Sequence, residues 1–195
     1  MAKLYFRYGT MNSGKSTALI QVAHNYKERG FKVITIKPET DTKGSNTIVS
    51  RIGASLFVNY VVPSHITPLD DHLPFDCDCI LVDEAQFLTK SQIDDLHRIA
   101  HTKNIPVICY GIRTDFCMNG FEGSSRLLEI ADTIEEMKTI CPHCGKKAAI
   151  NLRLVNKQAT FTGNQVEIDN QKSIEYIPVC SEYFYQLQKE REETE

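Results

Sequence analysis

One octapeptide near the start of the chain constrains the fold more than any other feature. Residues 9–16 read Gly-Thr-Met-Asn-Ser-Gly-Lys-Ser, the P-loop pattern in which a glycine and four further residues precede Gly-Lys-Ser. The aromatic-rich run at 4–8 favours a strand, and residues 17–23 favour a helix. Backbone N–H groups of such a loop converge on a phosphate at a helix N-terminus. We therefore predict a nucleotide-binding strand–loop–helix unit; the alternative, a chance match at an ordinary turn, is disfavoured by these flanking segments.

The residues of this loop differ in what they offer a nucleotide. Lys15 supplies a point charge for the terminal phosphates, and the Ser16 hydroxyl can ligate Mg²⁺. Gly14 has no side chain that would block a phosphate. The candidate ATP- and phosphate-binding residues in the loop are Gly9, Thr10, Met11, Asn12, Ser13, Gly14, Lys15 and Ser16.

Helix-like and strand-like segments alternate after the loop. The pattern predicts helices at 15–29, 89–102 and 124–130, and strands at 31–37, 79–84, 105–110 and 133–139. Either Thr89 or Ser91 can cap the second helix. The apolar run at 79–82 is typical of a strand buried on both faces of a parallel sheet. This alternation predicts an α/β fold with a P-loop NTPase-like, RecA-like parallel sheet.

Composition changes after residue 139, where the helical periodicity gives way to a metal-knuckle pattern and β-type runs. We therefore predict a P-loop domain over 1–139 and a small appended zinc-ribbon-like lobe over 140–185. Residues 186–195 are highly charged, so we expect a flexible, solvated tail there.

Charge and hydropathy disfavour two classes of partner. The net charge is −3, whereas binding to nucleic acid or to anionic membranes needs a basic surface. No apolar run approaches the length of a membrane span, and the N-terminus lacks the basic-then-apolar design of a signal peptide. We expect a cytoplasmic protein that binds neither membrane nor nucleic acid.

Two adjacent carboxylates, Asp83 and Glu84, follow the apolar run. In P-loop proteins an acidic residue at the end of an apolar strand completes the Mg²⁺ coordination. Ligands of such sheets gather at the carboxyl ends of the strands, so this pair should lie near the loop. We assign Asp83 to Mg²⁺ and the phosphate site, and Glu84 to the general base. The alternative is a solvated acidic pair at a strand end.

The cysteines predict a metal centre in the second lobe. Their number, seven, is odd and speaks against a disulfide framework. Residues 141–145 read Cys-Pro-His-Cys-Gly, a knuckle typical of zinc ribbons, but the second pair is incomplete. Tyr183 stands where the last cysteine or histidine of the second pair is expected. A tyrosine phenol keeps its proton up to a pKa of about 10, so it is a poor ligand for Zn²⁺. A water or another group could fill the fourth position, and a metal-free lobe held by packing is the alternative. The candidate Zn²⁺ ligands are Cys141, Cys144 and Cys180, with Tyr183 or His143 in the fourth position.

Three phenylalanines are candidates for a nucleobase slot. Phe87 directly follows the acidic segment, while Phe116 and Phe121 lie in a polar, glycine-containing loop beyond a predicted strand. An apolar slot for a planar base can form at such a strand end. A core position is the usual alternative for a single phenylalanine.

Together these segments resemble the type II thymidine kinases, a family of cytosolic, zinc-containing, tetrameric enzymes, over most of the chain. The loop at 9–16 looks like the family's phosphate loop, and residues 83–87, Asp-Glu-Ala-Gln-Phe, match its acidic motif. Residues 111–116, Gly-Ile-Arg-Thr-Asp-Phe, are similar to its thymidine-pocket loop. Residues 141–145 look like its zinc knuckle, and residues 176–180, Tyr-Ile-Pro-Val-Cys, like its closing segment.

The resemblance implies that ATP, with Mg²⁺, phosphorylates the 5′-hydroxyl of deoxythymidine to dTMP for nucleotide salvage, in a homotetramer. Glu84 would take the hydroxyl proton, and Gln86 would join the phosphate site. The segment between Cys144 and Cys180 would form a flap over thymine, anchored by the zinc lobe, and would exclude water from phosphoryl transfer. The residues implied to contact the nucleoside are Met11, Phe87, Ile112, Phe116, Phe121, Val166, Ile168 and Tyr176.

Two other functions compete with this one. An Asp-Glu-Ala-Gln segment at a strand end also occurs in helicase-type motors, so a nucleic-acid-dependent ATPase with a zinc ribbon is the main alternative. A single modest α/β domain and the acidic charge balance disfavour it. A nucleotide-binding switch without catalysis is the third possibility.

Overall fold

The computed structural model describes residues 1–41, 46–165 and 173–193. The strands are β1 (Leu4–Tyr8), β2 (Val33–Pro38), β3 (Thr47–Val49), β4 (Ser55–Phe57), β5 (Tyr60–Val62), β6 (Cys79–Val82), β7 (Val107–Gly111), β8 (Thr133–Glu136), β9 (Ile150–Val155), β10 (Gln158–Thr160) and β11 (Ile174–Val179). The helices are α1 (Lys15–Glu28), α2 (Lys90–Thr102), α3 (Glu122–Ile130) and α4 (Ser181–Glu192).

The central sheet has six strands in the order β5-β2-β6-β7-β1-β8, and neighbouring strands are parallel throughout. Strands β6 and β7 are buried along their whole length, because helices cover the central strands of a parallel sheet on both faces. The sheet confirms the expected P-loop NTPase-like α/β fold. Strand β7 lies between β1 and β6, so the P-loop and the acidic segment extend from strands that are not neighbours.

The two faces of the sheet form separate apolar cores. Leu81 of β6 packs in a cluster with Leu19 of α1, whereas the preceding Ile80 packs in the opposite cluster with Leu96 of α2. Successive side chains of a strand point to opposite faces, so one apolar strand serves both cores. Burial of each such leucine or isoleucine side chain stabilises the folded state by about 1.5–3 kcal/mol.

Helix α2 begins with a capping box. The Thr89 hydroxyl accepts a hydrogen bond from the Gln92 N–H at 3.3 Å, and the Gln92 side chain accepts one from the Thr89 N–H at 3.1 Å. This arrangement satisfies two amides that have no partner within the helix. Of the two residues expected to cap the helix, Thr89 does so.

After β8 the chain builds a second, antiparallel sheet in the order β10-β9-β11. Its core includes Leu152, Val179 and Phe184. Helix α4 packs on this sheet through Phe184, its one fully buried residue. Within the segment 186–195, where a flexible tail is predicted, the chain is helical as far as Glu192, and the charged sequence did not predict this helix. None of the helices in the described ranges has both the length and the apolarity that crossing a membrane requires.

Candidate active site

The P-loop connects β1 to α1 through a residue that only glycine adopts readily. Gly14 precedes the first residue of α1 with a φ of 81°, in the left-handed region that favours glycine. A Cβ added there would meet nothing within 4 Å, so the backbone conformation, rather than lack of space, favours glycine here. The turn places the loop at the N-terminus of α1, where unpaired N–H groups and the helix dipole favour an anion.

Gly9 begins the same loop and is required for a different reason. A Cβ at this position would lie 2.4 Å from the Met137 carbonyl oxygen and 2.4 Å from Ser13 Oγ. The Gly9 N–H donates to the Gly111 carbonyl at 3.2 Å. The start of the loop is therefore fixed against the end of β7.

Two polar side chains of the loop are arranged for a ligand. The Lys15 ammonium donates to the carbonyl oxygens of Gly9 at 3.3 Å and Thr10 at 2.8 Å, so it lies against the loop. Thr10 Oγ1 is buried and has no hydrogen-bond partner among the described residues. An unpaired buried hydroxyl is costly, and a phosphate oxygen at the loop would give it a partner.

Asp83 follows β6 and is 6% exposed. Burial, and then the charges of Glu84 and Asp41, raise its pKa to about 7, while the N–H of Glu84 and the charge of Lys15 act in the opposite direction. A divalent cation there would relieve the burial and repulsion that disfavour the carboxylate.

Gly111 connects the P-loop to the acidic segment. Its carbonyl accepts from the Gly9 N–H at 3.2 Å, and a Cβ added to it would lie 3.3 Å from the Gln86 backbone nitrogen. The two segments therefore belong to one site.

Glu84 has an unusual backbone conformation. Its φ of 49° and ψ of 39° lie in the left-handed region, which costs a residue other than glycine about 1–3 kcal/mol and is common at active sites. The residue precedes a short 3₁₀ turn, Ala85–Phe87. Glu84 therefore lies at the carboxyl edge of the sheet, two residues beyond the end of β6.

The Gln86 side chain is almost fully buried, at 2% exposed. Its amide nitrogen donates to Glu84 Oε2, and its amide oxygen accepts from the Ile112 N–H at 3.2 Å. A Cβ on the neighbouring Gly111 would lie 2.7 Å from that oxygen, so glycine makes room for the contact. The structure thus places the Gln86 amide between the predicted base and the predicted nucleoside loop, although the sequence assigned it to the phosphate site.

Two of the three predicted aromatic residues contact each other. The Phe87 and Phe121 rings pack edge to face at 5.5 Å between centroids, and Phe116 and Ile112 are buried in the same loop region. Edge-to-face packing fixes the orientation of each ring. The structure thus brings Phe87 and Phe121 into contact, while Phe116 and Ile112 are buried in the loop that leads to Phe121.

Arg153 of β9 is a residue that the sequence analysis missed. Its guanidinium carbon lies 3.7 Å from the centroid of the Phe116 ring. It also donates to the carbonyl oxygens of Thr162 at 2.8 Å and Asn164 at 3.3 Å. This buried side chain therefore connects the nucleoside loop to the backbone that precedes residues 166–172.

Asn151, also on β9, contacts the P-loop. Its side-chain oxygen accepts from the Met11 N–H at 2.7 Å, and the residue is buried. One signal in the sequence could have identified both residues. In Ile-Asn-Leu-Arg-Leu, polar side chains alternate with apolar ones, and one face of this strand is directed at the active site.

The remaining predicted contacts have different outcomes. Asn12 has a left-handed φ of 65°, and Ser16 lies in the first turn of α1. Tyr176 is half-buried on β11 and pairs with Arg153 across the ladder. Val166 and Ile168 lie outside the described residues.

Comparison with known proteins decides the family. The family model described as thymidine kinase matches residues 2–184. The chain belongs to the thymidine kinase family. A thymidine kinase from Lactococcus lactis is 42% identical over 188 residues, with 95% of this chain and 98% of the relative covered. A thymidine kinase from Streptococcus pyogenes serotype M3 is 40% identical over 191 residues, with the same coverage of both chains.

This family member also has a cluster of three thiols in its second lobe. The sulfur atoms of Cys141, Cys144 and Cys180 lie within 4.8 Å of one another, and those of Cys144 and Cys180 are 3.5 Å apart. Burial favours the protonated thiol of Cys141, but hydrogen bonds from Cys180, His143 and Cys144 outweigh it and lower the pKa to about 7. Three cysteine sulfur atoms held this closely form a suitable ligand set for Zn²⁺, which binds cysteine in its thiolate form.

Of the two candidates for the fourth ligand, His143 does not belong to the thiol cluster among the described residues, and it contacts Tyr183. The His143 and Tyr183 rings stack on each other at 3.9 Å between centroids, with 13° between their planes. The backbone N–H of Tyr183 donates to the Cys180 sulfur at 3.4 Å. Tyr183 therefore contributes its amide and its ring to the surroundings of the cluster.

Proposed function

We propose that this chain transfers the γ-phosphate of ATP to the 5′-hydroxyl of deoxythymidine, giving dTMP and ADP. The observation that carries the proposal is the position of Glu84. It lies on the edge that bears the phosphate loop, and Gln86 connects its carboxylate to the aromatic loop. Family membership and the thymidine kinase relatives support the same reaction.

In this mechanism the chain positions reactants and neutralises charge. Loop amides and Lys15 bind the ATP phosphates, and Thr10 Oγ1 gains its missing partner from a phosphate oxygen. Asp83 and Ser16 are the residues that would hold Mg²⁺, which supplies charge neutralisation when bound. Glu84 accepts the 5′-hydroxyl proton as that oxygen bonds to the γ-phosphorus and the bond from phosphorus to ADP breaks.

Gln86 has a positioning role in this proposal. Its amide nitrogen orients the Glu84 carboxylate, and its amide oxygen holds the Ile112 backbone. Because the amide nitrogen and the amide oxygen of this buried side chain are both hydrogen-bonded, the Glu84 carboxylate is held in one rotamer. The base and the nucleoside loop are thereby kept in a fixed relation, which phosphoryl transfer needs because small misplacements are costly.

Arg153 is expected to support thymidine binding. Replacing it by methionine, Arg153→Met, keeps an unbranched apolar side chain but removes two charge-assisted hydrogen bonds, each worth about 1.5–3 kcal/mol. We expect the KM for thymidine to rise at least about tenfold, since about 1.4 kcal/mol is a factor of ten. Steady-state kinetics with thymidine as the varied substrate measure the change.

The matched control for this prediction is Arg126→Met. Arg126 is on α3 and pairs with Asp94 and Glu129 rather than with the nucleoside loop, so its replacement should leave the KM for thymidine unchanged. Equal KM values for the wild type and Arg153→Met would contradict the supporting role.

A phosphoryl-transfer assay tests the proposed function itself. ATP labelled at the γ-phosphate is incubated with each of four deoxynucleosides, and labelled monophosphate is quantified. We expect label on deoxythymidine. Absence of transfer, together with ATP hydrolysis that DNA or RNA stimulates, would instead support the nucleic-acid-dependent ATPase, which the family assignment does not favour.

We also propose a structural Zn²⁺ on the three cysteines, and a cytoplasmic homotetramer without nucleic-acid or membrane partners. The Cys141 thiol, whose pKa is lowered to about 7, supports the metal centre, since thiolates are the ligating form. The centre lies where the chain enters and leaves the flap. It would therefore anchor both ends of the segment that covers the nucleoside.

Removal of one thiol tests the zinc centre. Cys144→Ala replaces an exposed cysteine, so little packing is lost, and we expect the bound zinc to fall well below the wild-type content. Native mass spectrometry gives the zinc per chain. Cys77→Ala, a cysteine outside the cluster, should keep the zinc; full zinc in Cys144→Ala would show that the metal does not depend on this thiol.

A further inference from the structure

A second group of potential metal ligands lies away from the thiol cluster. His97 and His101 are one turn apart on α2, and their ring centroids are 4.6 Å apart. Asp132 lies between α3 and β8. One ligand atom from each of these three side chains lies within 4.8 Å of the other two.

The group is at the edge of the sheet opposite the phosphate loop. Asp132 Oδ2 accepts from the N–H of Leu4, the first residue of β1, at 2.7 Å. The catalytic segments, in contrast, leave the carboxyl ends of β1 and β6. A ligand bound here would therefore not belong to the active site.

The Asp132 carboxylate is held in place before any metal binds. It accepts the Leu4 N–H and lies 3.0 Å from His101 Nε2. Burial alone would raise the pKa of Asp132, but the Leu4 hydrogen bond and the charge of His101 outweigh it and lower that pKa. A backbone hydrogen bond to a ligating carboxylate fixes the orientation of that carboxylate toward the metal.

We propose that His97, His101 and Asp132 form a binding site for a divalent transition-metal ion such as Zn²⁺ or Ni²⁺. Two histidines at i and i+4 present their rings to one ion, and a carboxylate completes a three-residue set. Ligand atoms that each lie about 2.0–2.2 Å from one ion are at most about 4.4 Å from each other. The three ligand atoms here lie within 4.8 Å of one another, so small side-chain rotations would bring all three into coordination. Imidazole ligands suit Zn²⁺ and Ni²⁺ better than Mg²⁺ or Ca²⁺.

Such an ion would join three segments that are distant in sequence. It would tie the last turn of α2 to the α3–β8 connection and, through Asp132, to the start of β1. Binding to the folded state alone stabilises that state by mass action. We expect added Ni²⁺ to raise the thermal unfolding midpoint of the protein.

Titration of the full chain with Ni²⁺ tests the site, after one equivalent of Zn²⁺ per chain has been added for the thiol cluster and native mass spectrometry has shown one Zn²⁺ per chain, so that the histidine site is empty before the titration. Isothermal titration calorimetry of the wild type should show one Ni²⁺ bound per chain. In His97→Ala, which leaves the Leu4–Asp132 hydrogen bond intact, the affinity for Ni²⁺ should fall at least about tenfold, since loss of a residue that only orients a metal ligand already costs that much. The rise in unfolding midpoint should disappear in the same variant.

The control is His24→Ala, an exposed histidine on α1, which should bind Ni²⁺ like the wild type. His101→Ala provides a second test of the same set and should lose binding as His97→Ala does. Absence of Ni²⁺ binding by the zinc-loaded wild type would overturn the proposal. Unchanged affinity in both His97→Ala and His101→Ala, or loss of binding in His24→Ala, would do the same.

Discussion

Glu84→Gln is expected to lower kcat by about 10²–10⁴-fold, the range that a positioned general base contributes. The amide has nearly the shape of the carboxylate and can still accept the Gln86 hydrogen bond, but it cannot take the proton of the 5′-hydroxyl. ATP and thymidine should therefore bind almost as tightly as to the wild type. Single-turnover kinetics and calorimetric titration of each substrate separate the two effects.

The control for this variant is Glu129→Gln, because Glu129 is a surface carboxylate paired with Arg126. It should have wild-type kinetics. A Glu84→Gln enzyme with a near-normal kcat would show that another group, or water, accepts the proton. If the affinity for thymidine fell by the same factor as kcat, the role of Glu84 would be substrate binding and not proton transfer.

Lys15→Ala is expected to have the second-largest effect. Removing one preorganised donor from a developing negative charge typically costs about 10²–10³-fold in rate. The Lys15 ammonium lies against the loop through its contacts with the Gly9 and Thr10 carbonyls, so it is already near where phosphates bind. We expect kcat/KM for ATP to fall by that factor and ATP affinity to weaken in calorimetry.

Two further variants identify the cause of that loss. Lys15→Met keeps an unbranched apolar side chain without the charge and should behave like Lys15→Ala. Lys27→Ala removes an exposed lysine from the same helix and should be neutral. Unchanged ATP affinity and rate in Lys15→Ala would rule out the phosphate-binding role.

Local features of this chain could be predicted because their causes are local. The spacing of the loop glycines and Lys15 gives a strand–loop–helix turn, and the uninterrupted apolar run gives β6, buried on both faces. The Thr89 cap of α2 follows from side-chain chemistry three residues apart. In each case neighbouring residues determine the structure.

The features that the sequence did not predict depend on contacts across the chain. Gln86 could be placed near the phosphates from its motif, but its hydrogen bond to the Ile112 backbone depends on how the segments after β6 and β7 meet. Arg153 contacts Phe116 because β9 of the second lobe packs against the nucleoside loop. The sequence of α4 has only a weak apolar stripe, so its hydrophobic periodicity did not indicate a helix. The helix packs on the second sheet through the buried Phe184.

The most direct measurement of the central claim is a crystal structure of the enzyme with thymidine and a non-hydrolysable ATP analogue. We predict a Glu84 carboxylate oxygen within about 2.6–3.2 Å of the thymidine 5′-oxygen, the reach of a general base, with the triphosphate in the loop at 9–16. A Glu84 carboxylate turned away from that oxygen, with thymidine bound elsewhere, would contradict it.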